Sequence, residues 1–427
     1  MKRASPAPNP LVVPVLAASA LAFAAAAGCE RVSYYSLTGS APDDEEPGTT
    51  TEAPVTTGTD TTAPTVTRAA VLEAVGICAA ALYGEAAVAA DELRVAAAAA
   101  AEGPSPEKTK AARDAWAKAI DLWQQADMIR VGPAGPASTP GGKDMRDLVY
   151  SWPLVSRCLV EQTLVAETYE TSGFFSTALV NMRGLAAAEY LLFYEGTDNA
   201  CSAAASINSA GTWAALSAQE LSARKLAYGS TVAADVAAQV KTIADAWSKT
   251  GGDFTAQLAS AGQGGSIFST DRLAMNTVSD GLFYLDTEAK DGKLGKPLGL
   301  VDCASATCPE AVESRYAKRS RTHLKNNLIG FERIFAGCDE AKGMGFDDLL
   351  DALGKGSLAA SMNADIDAAI AAADALPSDD VAEAMEQDKA KVAALHAAIK
   401  KITDALKTEF VTVLDLELPQ TVEGDND

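Results

Sequence analysis

Residues 116–133 read WAKAIDLWQQADMIRVGP, and this stretch decides the fold class. Three of its large apolar side chains, Trp116, Ile120 and Trp123, recur at steps of four and three residues. That spacing places them on one stripe of an α-helix. Side chains of this size must pack against a partner helix, so the stretch predicts one member of a helical bundle.

The sequence also indicates where this helix begins and ends. Ser105 is a suitable N-cap, Pro106 fits the first helical position, and Gly132-Pro133 predicts the end of the helix. Asp127 and Arg130 continue the stripe by helical spacing, so polar groups follow the rings onto the same face. These two residues either line a cleft or form an ion pair near the helix end.

A second apolar stripe lies near the C-terminus, after Pro377 and a predicted Ser378 cap. Its members recur at steps of three and four residues: Val392, Leu395, Ile399, Ile402, Leu406 and Phe410. Residues 408–418 fit a helix or a strand, and no other segment alternates convincingly with a period of two. The chain is therefore predicted to be all-α, with two helical bundles in tandem.

Glycine-rich breaks suggest where the two bundles are divided. A predicted helix that carries Trp247 runs into Gly251-Gly252, and a second glycine patch follows at residues 262–265. We place the boundary between them, which gives an N-terminal domain at residues 68–258 and a C-terminal domain at residues 259–427. A chain of 427 residues suits two globular units with appendages.

The first 28 residues have the features of a lipoprotein signal peptide. Lys2 and Arg3 precede an apolar stretch at residues 11–27, and small residues stand directly before Cys29. Cys29 is therefore predicted to carry a lipid anchor. The alternative is an ordinary signal peptide that ends near a cysteine. No later segment is expected to be long and apolar enough to cross a bilayer, so the lipid is the predicted tether.

Residues 29–67 are rich in Thr, Pro, Gly, Asp and Glu, and apolar residues are scarce after Tyr35. This composition cannot build a core and predicts a disordered stalk. The protein is thus predicted to be exported and anchored in the cell envelope. Glu30 after the anchor cysteine favours the outer membrane over the inner one.

The formal net charge is −22, which argues against nucleic acid as a partner because phosphate binding requires a basic face. Six cysteines remain after Cys29, an even number that predicts structural disulfides in an exported chain. Cys303 and Cys308 are close enough in sequence to close one loop. The other four leave three pairings open: Cys78, Cys158, Cys201 and Cys338.

Several motifs, in order along the chain, resemble those of the imelysin-like family. They are WAKAIDLWQQADMIRVGP at 116–133, SWPL at 151–154, RGLAAAEYLLF at 183–193, KLGKPLG at 293–299, Glu313-Ser314, Asn327 with Gly330, and a degenerate acidic tail at 414–427. The resemblance implies two helical-bundle domains around a shared cleft. It also implies an exported or lipid-anchored protein associated with bacterial iron uptake, although some members are named metallopeptidases.

The family's Gly-x-His-x-x-Glu motif is incomplete in this chain. Gly184 and Glu189 match it, whereas Ala186 stands where the family carries histidine. An alanine offers no lone pair, and a zinc enzyme needs about three protein ligands. The chain contains two histidines and no HExxH, with His396 beside a core stripe and His323 in a basic stretch. We therefore assign no catalytic residue, and we leave the metal and any cofactor unspecified.

Glu189 precedes a run of large apolar residues, so its carboxylate is expected to be buried and to need a partner. That partner is either a ligand or a group of the bundle that forms a salt bridge or a hydrogen bond with it, with Arg183, Arg130 and Lys293 as the first cations to consider. The predicted ligand-binding residues are Glu189, Gly184, Arg130, Trp152, Lys293 and Glu313. Trp152, Lys293 and Glu313 enter this set through the family resemblance.

These observations favour a non-catalytic binding or accessory lipoprotein linked to metal or iron acquisition. Its predicted partners are the membrane, through the N-terminal lipid, and iron-uptake or other cell-envelope proteins. The alternatives are an imelysin-type metallopeptidase and a surface-interaction protein with no small ligand. A peptidase would need a metal with an open coordination position and a general base.

Overall fold

The computed structural model describes residues 66–422, which lie within one compact unit. The predicted signal peptide at 1–28, the predicted lipid-attachment residue Cys29 and all but the last two residues of the predicted stalk lie outside the described residues. So do residues 423–427. The division into domains at residues 258 and 259 stays a prediction.

The described chain is helical, and it contains no β-strand between residues 66 and 422, so the all-α prediction is confirmed. The α-helices are α1 (Arg68–Glu102), α2 (Pro106–Ala126), α3 (Met145–Val149), α4 (Arg157–Ala166), α5 (Gly184–Phe193), α6 (Ser206–Ser209), α7 (Ala218–Trp247), α8 (Phe254–Ala259), α9 (Asp271–Leu282), α10 (Lys296–Leu298), α11 (Ser320–Phe335), α12 (Phe346–Ala352), α13 (Gly356–Asp374), α14 (Val381–Ala405) and α15 (Val411–Val413). Two π-helical segments cover Leu285–Gly295 and Leu406–Phe410. Short 3₁₀ turns cover Gly132–Ala134, Thr168–Glu170, Phe174–Ser176, Val180–Met182, Pro309–Ala311 and Asp339–Ala341.

Helix α1 is the central helix, and it packs against α2, α7 and α8. It is also 35 residues long, with a mean hydropathy of 1.6 over its most apolar 18-residue window. By length and composition α1 could cross a bilayer, so our expectation that no later segment is long and apolar enough to do so was wrong. In this fold 56% of that window is buried inside the protein, which accounts for its apolar character.

Helix α2 begins as the sequence predicts. The Ser105 hydroxyl accepts a hydrogen bond from the Lys108 backbone N–H at 3.3 Å, and Pro106 is the first helical residue. The apolar stripe of α2 is buried, and the Trp116 indole donates to the Leu185 carbonyl at 2.9 Å. The helix ends at Ala126, which is earlier than the Gly132-Pro133 break predicts. The segment that carries Arg130 is therefore a connection rather than a continuation of the helix.

Helices α2 and α11 approach each other closely, although they come from opposite sides of the predicted domain boundary. A Cβ atom on Gly330 would lie 2.3 Å from the Gln125 backbone oxygen, which is far inside van der Waals contact. Only glycine at this position allows the two backbones to pack at this distance. This approach places the polar side chains of α11 against the C-terminal end of α2.

The C-terminal stripe is also confirmed, because all six of its apolar side chains are fully buried. The predicted cap was wrong by two residues. Asp380 caps α14 by accepting from the Ala382 N–H at 2.9 Å, while Ser378 accepts from the Asp380 N–H at 3.2 Å. The ambiguous stretch at 408–418 contains helical turns and no strand.

Three disulfides join the six cysteines of the described chain. Cys303 pairs with Cys308, as their separation predicts. The pairings that the sequence left open are Cys78 with Cys338 and Cys158 with Cys201. The Cys78–Cys338 bond spans 260 residues and links α1 to the segment after α11.

Candidate functional site

A cavity of about 790 Å³ lies between segments from the two predicted halves of the chain. One side is formed by residues between 130 and 160 and by α5. The other side is formed by the π-helical segment Leu285–Gly295 and by residues 301–316. Arg130, Trp152 and Glu189 are the predicted site residues that line it. Its volume is within the usual range for small-molecule sites.

Gly184 is the first residue of α5 and does not line the cavity. Its φ angle is 78°, a left-handed conformation that costs little for glycine and much more for other residues. A Cβ atom here would also lie 2.7 Å from the Val149 carbonyl oxygen. The glycine of the motif therefore fixes the entry of the chain into α5.

Ala186 and Glu189 are three residues apart on α5, and both line the cavity. Glu189 is 5% exposed, and its Oε1 accepts hydrogen bonds from the backbone N–H groups of Tyr316 and Ala317, each at 2.9 Å. Within residues 66–422 its second oxygen, Oε2, has no hydrogen-bond partner. Burial raises the pKa of this carboxyl, against the opposing effects of the two N–H donors and of His323.

None of the three cations predicted as partners of Glu189 forms an ion pair with it among the described residues. Each has another acidic partner: Arg183 pairs with Asp235, Arg130 with Glu288, and Lys293 with Glu313. The hydrogen-bonded alternative is the one observed, and the choice of these cations was wrong because it considered side-chain charges and no backbone donor. The actual donors are backbone groups of a loop that lies 127 and 128 residues further along the chain.

Lys293 and Glu313 form a separate buried cluster, and neither side chain lines the cavity. Both are fully buried, and the Lys293 Nζ lies 3.1 Å from Glu313 Oε1. The Tyr150 hydroxyl and the Gln124 side-chain amide donate to the same oxygen. Burial alone would raise the pKa of Glu313. Lys293 and His323 outweigh that effect and hold the pKa well below its usual range.

Two residues of α11 complete this buried cluster. The His323 Nδ1 lies 3.3 Å from Glu313 Oε2, and the Asn327 Oδ1 accepts from the Lys293 ammonium at 2.7 Å. Sequence reasoning assigned His323 to an unfavourable basic stretch and missed this role. The sequence did carry a signal, because Ser320, His323 and Asn327 recur at helical steps and so share one face. In the structure all three are buried. We call the following six residues the buried cluster: Gln124, Tyr150, Lys293, Glu313, His323 and Asn327.

Basic and acidic side chains are paired along the wall that carries Arg130. The Arg146 guanidinium binds both oxygens of the buried Asp127 at 2.9 and 3.0 Å. It also lies 3.6 Å from Glu288, which is 3.2 Å from Arg130. Both alternatives raised for Asp127 and Arg130 therefore apply in part. Asp127 is held in an ion pair, whereas Arg130 forms an ion pair and lines the cavity.

The described residues do not fit a protein-held metal ion. Between residues 66 and 422 no three His, Cys, Asp or Glu side chains are grouped so that they could bind one. At the family motif Ala186 supplies no donor atom, and one Glu189 oxygen is already bound by two N–H groups. A zinc site generally takes three or four protein ligands, so the motif lacks most of what it would need.

Comparisons with known proteins agree with the resemblance noted in the sequence. Residues 79–408 match the family model Peptidase_M75: Imelysin. The search of curated proteins gave no match. The fold is similar to the crystal structure of an imelysin-like protein from Psychrobacter arcticum 273-4, with a TM-score of 0.61 and 18% identity over 83% of this chain and 98% of that one.

A second similar structure is that of a proposed iron-regulated protein A precursor from Parabacteroides distasonis ATCC 8503. The TM-score is 0.62 and the identity is 17%, and the match covers 82% of this chain and 97% of the other. At these identities the two structures establish likeness of fold. The family model covers well over half of the sequence, and on that basis the chain belongs to the imelysin family.

Proposed function

We propose that this protein is a non-catalytic, imelysin-type binding protein with an accessory role in metal or iron acquisition. The single observation that carries the proposal is the state of the family motif inside the cavity. Glu189 and Ala186 face a space large enough for a small ligand, but the motif offers one carboxylate and no imidazole. This arrangement suits ligand contact better than metal-dependent chemistry.

The link to iron has a narrower basis. One protein of similar fold is named as a proposed iron-regulated protein A precursor, and the family resemblance points to iron uptake. The family model itself is named for a peptidase family. We favour the accessory role because hydrolysis at a zinc site requires metal ligands and an activated water, and the motif lacks the first of these requirements.

The test is a peptidase assay on protein purified without an affinity-tag histidine. Zinc is added, and broad peptide substrates are incubated with wild type and with Glu189→Gln, each with and without chelator. We expect no chelator-sensitive cleavage. Chelator-sensitive cleavage that disappears in Glu189→Gln would contradict the proposal and favour the metallopeptidase.

Restoring the missing histidine provides a matched comparison. In Ala186→His an imidazole would stand three residues from Glu189 on the same helix face, so we expect zinc to bind this variant more tightly than wild type. Ala186→Leu adds bulk without a donor atom and is the control. Equal zinc affinity in wild type and Ala186→His would show that Ala186 is not what limits metal binding here.

The proposed location is the cell envelope, with the lipid on Cys29 as the anchor and the outer membrane favoured by Glu30. Support comes from the sequence alone, since these residues lie outside those that the structure describes. Metabolic labelling with a palmitate analogue should mark wild type and leave Cys29→Ser unmarked. Equal labelling of both proteins would refute the anchor.

A further inference from the structure

We propose, building on the proposed binding function, that the cavity accepts an organic polycarboxylate, either free or as a metal chelate. Several acids of the cavity wall are neutralised by the protein itself. Glu288 and Asp147 pair with Arg130 and Arg146 at 3.2 and 3.0 Å. Asp291 lies 3.2 Å from the Lys290 ammonium.

Two further acids of the wall are held by backbone groups. Asp144 Oδ1 accepts from the Ala137 N–H at 2.9 Å, and Glu189 Oε1 accepts from two N–H groups. Burial also favours the neutral form of Glu189. A neutral carboxyl group can donate a hydrogen bond from Oε2 to an oxygen atom of a ligand. Glu189 would then recognise a ligand oxygen instead of repelling it.

Two cationic side chains of the cavity lining have no acidic partner among residues 66–422. Lys296 is half-buried and Arg315 is exposed, and both line the cavity. Neither side chain has an ion-pair or hydrogen-bond partner in the part of the chain that the structure describes. A third cation, Arg157, is already paired with Glu161 at 2.6 Å. Lys296 and Arg315 are thus the charges that remain available to a ligand.

The unpaired acids among the lining residues, Asp302 and Glu310, are both exposed. They lie on either side of the Cys303–Cys308 disulfide. Exposed charges are well solvated and screened by salt, so their repulsion of an anion is weak. The exposed Arg315 is screened in the same way, whereas the half-buried Lys296 is screened less and is the stronger attraction for an anion. The charge balance within the cavity therefore favours an anion.

The shape of the cavity indicates more than a simple inorganic anion. Trp152, Tyr190 and Tyr316 line it, and its volume of about 790 Å³ leaves room for an organic body beside the charged groups. Arginine and lysine bind carboxylates through short, charge-assisted hydrogen bonds. A ligand with two or three carboxylates would contact Lys296, Arg315 and the neutral form of Glu189 together.

Isothermal titration calorimetry on the mature full-length protein tests this inference with a panel of di- and tricarboxylates that includes citrate. Ferric citrate, ferric ion alone and the cation spermidine are separate arms. Lys296→Ala/Arg315→Ala is compared with Lys249→Ala/Lys389→Ala, which removes two exposed lysines outside the cavity. We expect at least about tenfold weaker binding in the cavity variant and no change in the control.

Equal binding of citrate and ferric citrate would identify the free polycarboxylate as the ligand, and binding of ferric citrate alone would identify the chelate. The inference is overturned if no polycarboxylate binds, or if the cavity variant binds as tightly as the control. If spermidine binds and its binding is lost in Trp152→Ala, the cavity accepts a cation. That result would overturn the inference of an anionic ligand and leave the proposed binding function intact. Failure of that function would instead be seen as chelator-sensitive peptide cleavage.

Discussion

Glu189 and Glu313 are both buried, yet their surroundings favour opposite protonation states. Glu313 lies in the buried cluster, where Lys293 and His323 lower its pKa. Glu189 lies on the cavity wall, where burial raises its pKa, and its only hydrogen bonds within residues 66–422 come from backbone N–H groups. Glu313 therefore acts as a structural anion, whereas one oxygen of Glu189 has no hydrogen-bond partner among the residues that the structure describes. Divergent pKa values among nearby carboxyl groups are a useful way to separate such roles.

Breaking the buried cluster is expected to have the largest effect. Lys293→Met leaves Glu313 without its ammonium partner in a dry environment, so we expect the free energy of unfolding to fall by about 3–5 kcal/mol. Urea denaturation at neutral pH measures it. Lys293→Met/Glu313→Gln removes both charges, and it should recover part of the loss. If the stability of Lys293→Met were within about 1 kcal/mol of wild type, Lys293 and Glu313 would not be a structural ion pair.

Gly184, the glycine of the family motif, belongs with the structural residues. Gly184→Ala forces a left-handed residue and a contact with the Val149 oxygen, so we expect a loss of about 1–3 kcal/mol. Gly211→Ala is the matched control, because Gly211 has φ 72° with no atom near the added Cβ. It should lose less, through backbone strain alone. Thermal or urea unfolding measures the stability of both variants. Equal losses would show that the contact with the Val149 oxygen does not cause the loss in Gly184→Ala.

The smallest effect on stability is expected for Glu189, the carboxyl group on the cavity wall. Glu189→Gln imitates the neutral carboxyl group and keeps an oxygen for the two N–H donors. We expect a stability within about 1 kcal/mol of wild type at pH 7, with the variant the more stable. A large loss at pH 7 would place Glu189 with Glu313 as a charged structural residue.

The contributions of Glu189 and Glu313 to stability should depend on pH in opposite directions. The folded pKa of Glu189 is above its usual value of 4.5, so wild type loses stability relative to Glu189→Gln as pH rises through that range. Below pH 4.5 the difference should vanish. Glu313 has a depressed folded pKa, so its contribution is complete above its unfolded pKa and is lost progressively as the pH falls from there through the folded pKa. Urea unfolding of wild type, Glu189→Gln and Glu313→Gln across the acid range measures both trends.

The class of fold and much of the local structure could be predicted from the sequence. Steps of three and four residues identified the stripes of α2 and α14, and Ser105 with Pro106 identified the start of α2, because these features depend on neighbours within one or two helical turns. The separation of Cys303 and Cys308 identified their pairing for a similar reason. The ordered motifs identified the family.

The contacts between distant groups could not be predicted from the sequence, because they depend on the packing of the helices. The partners of Glu189 are backbone N–H groups of Tyr316 and Ala317, which carry no side-chain signal in the sequence. Gly330 brings α11 onto α2, and that approach gathers His323 and Asn327 around Lys293. A contact between distant segments depends on how whole helices pack, so neither residue spacing nor charge reveals it. The same packing separates Glu313 from the cavity and leaves Glu189 on its wall.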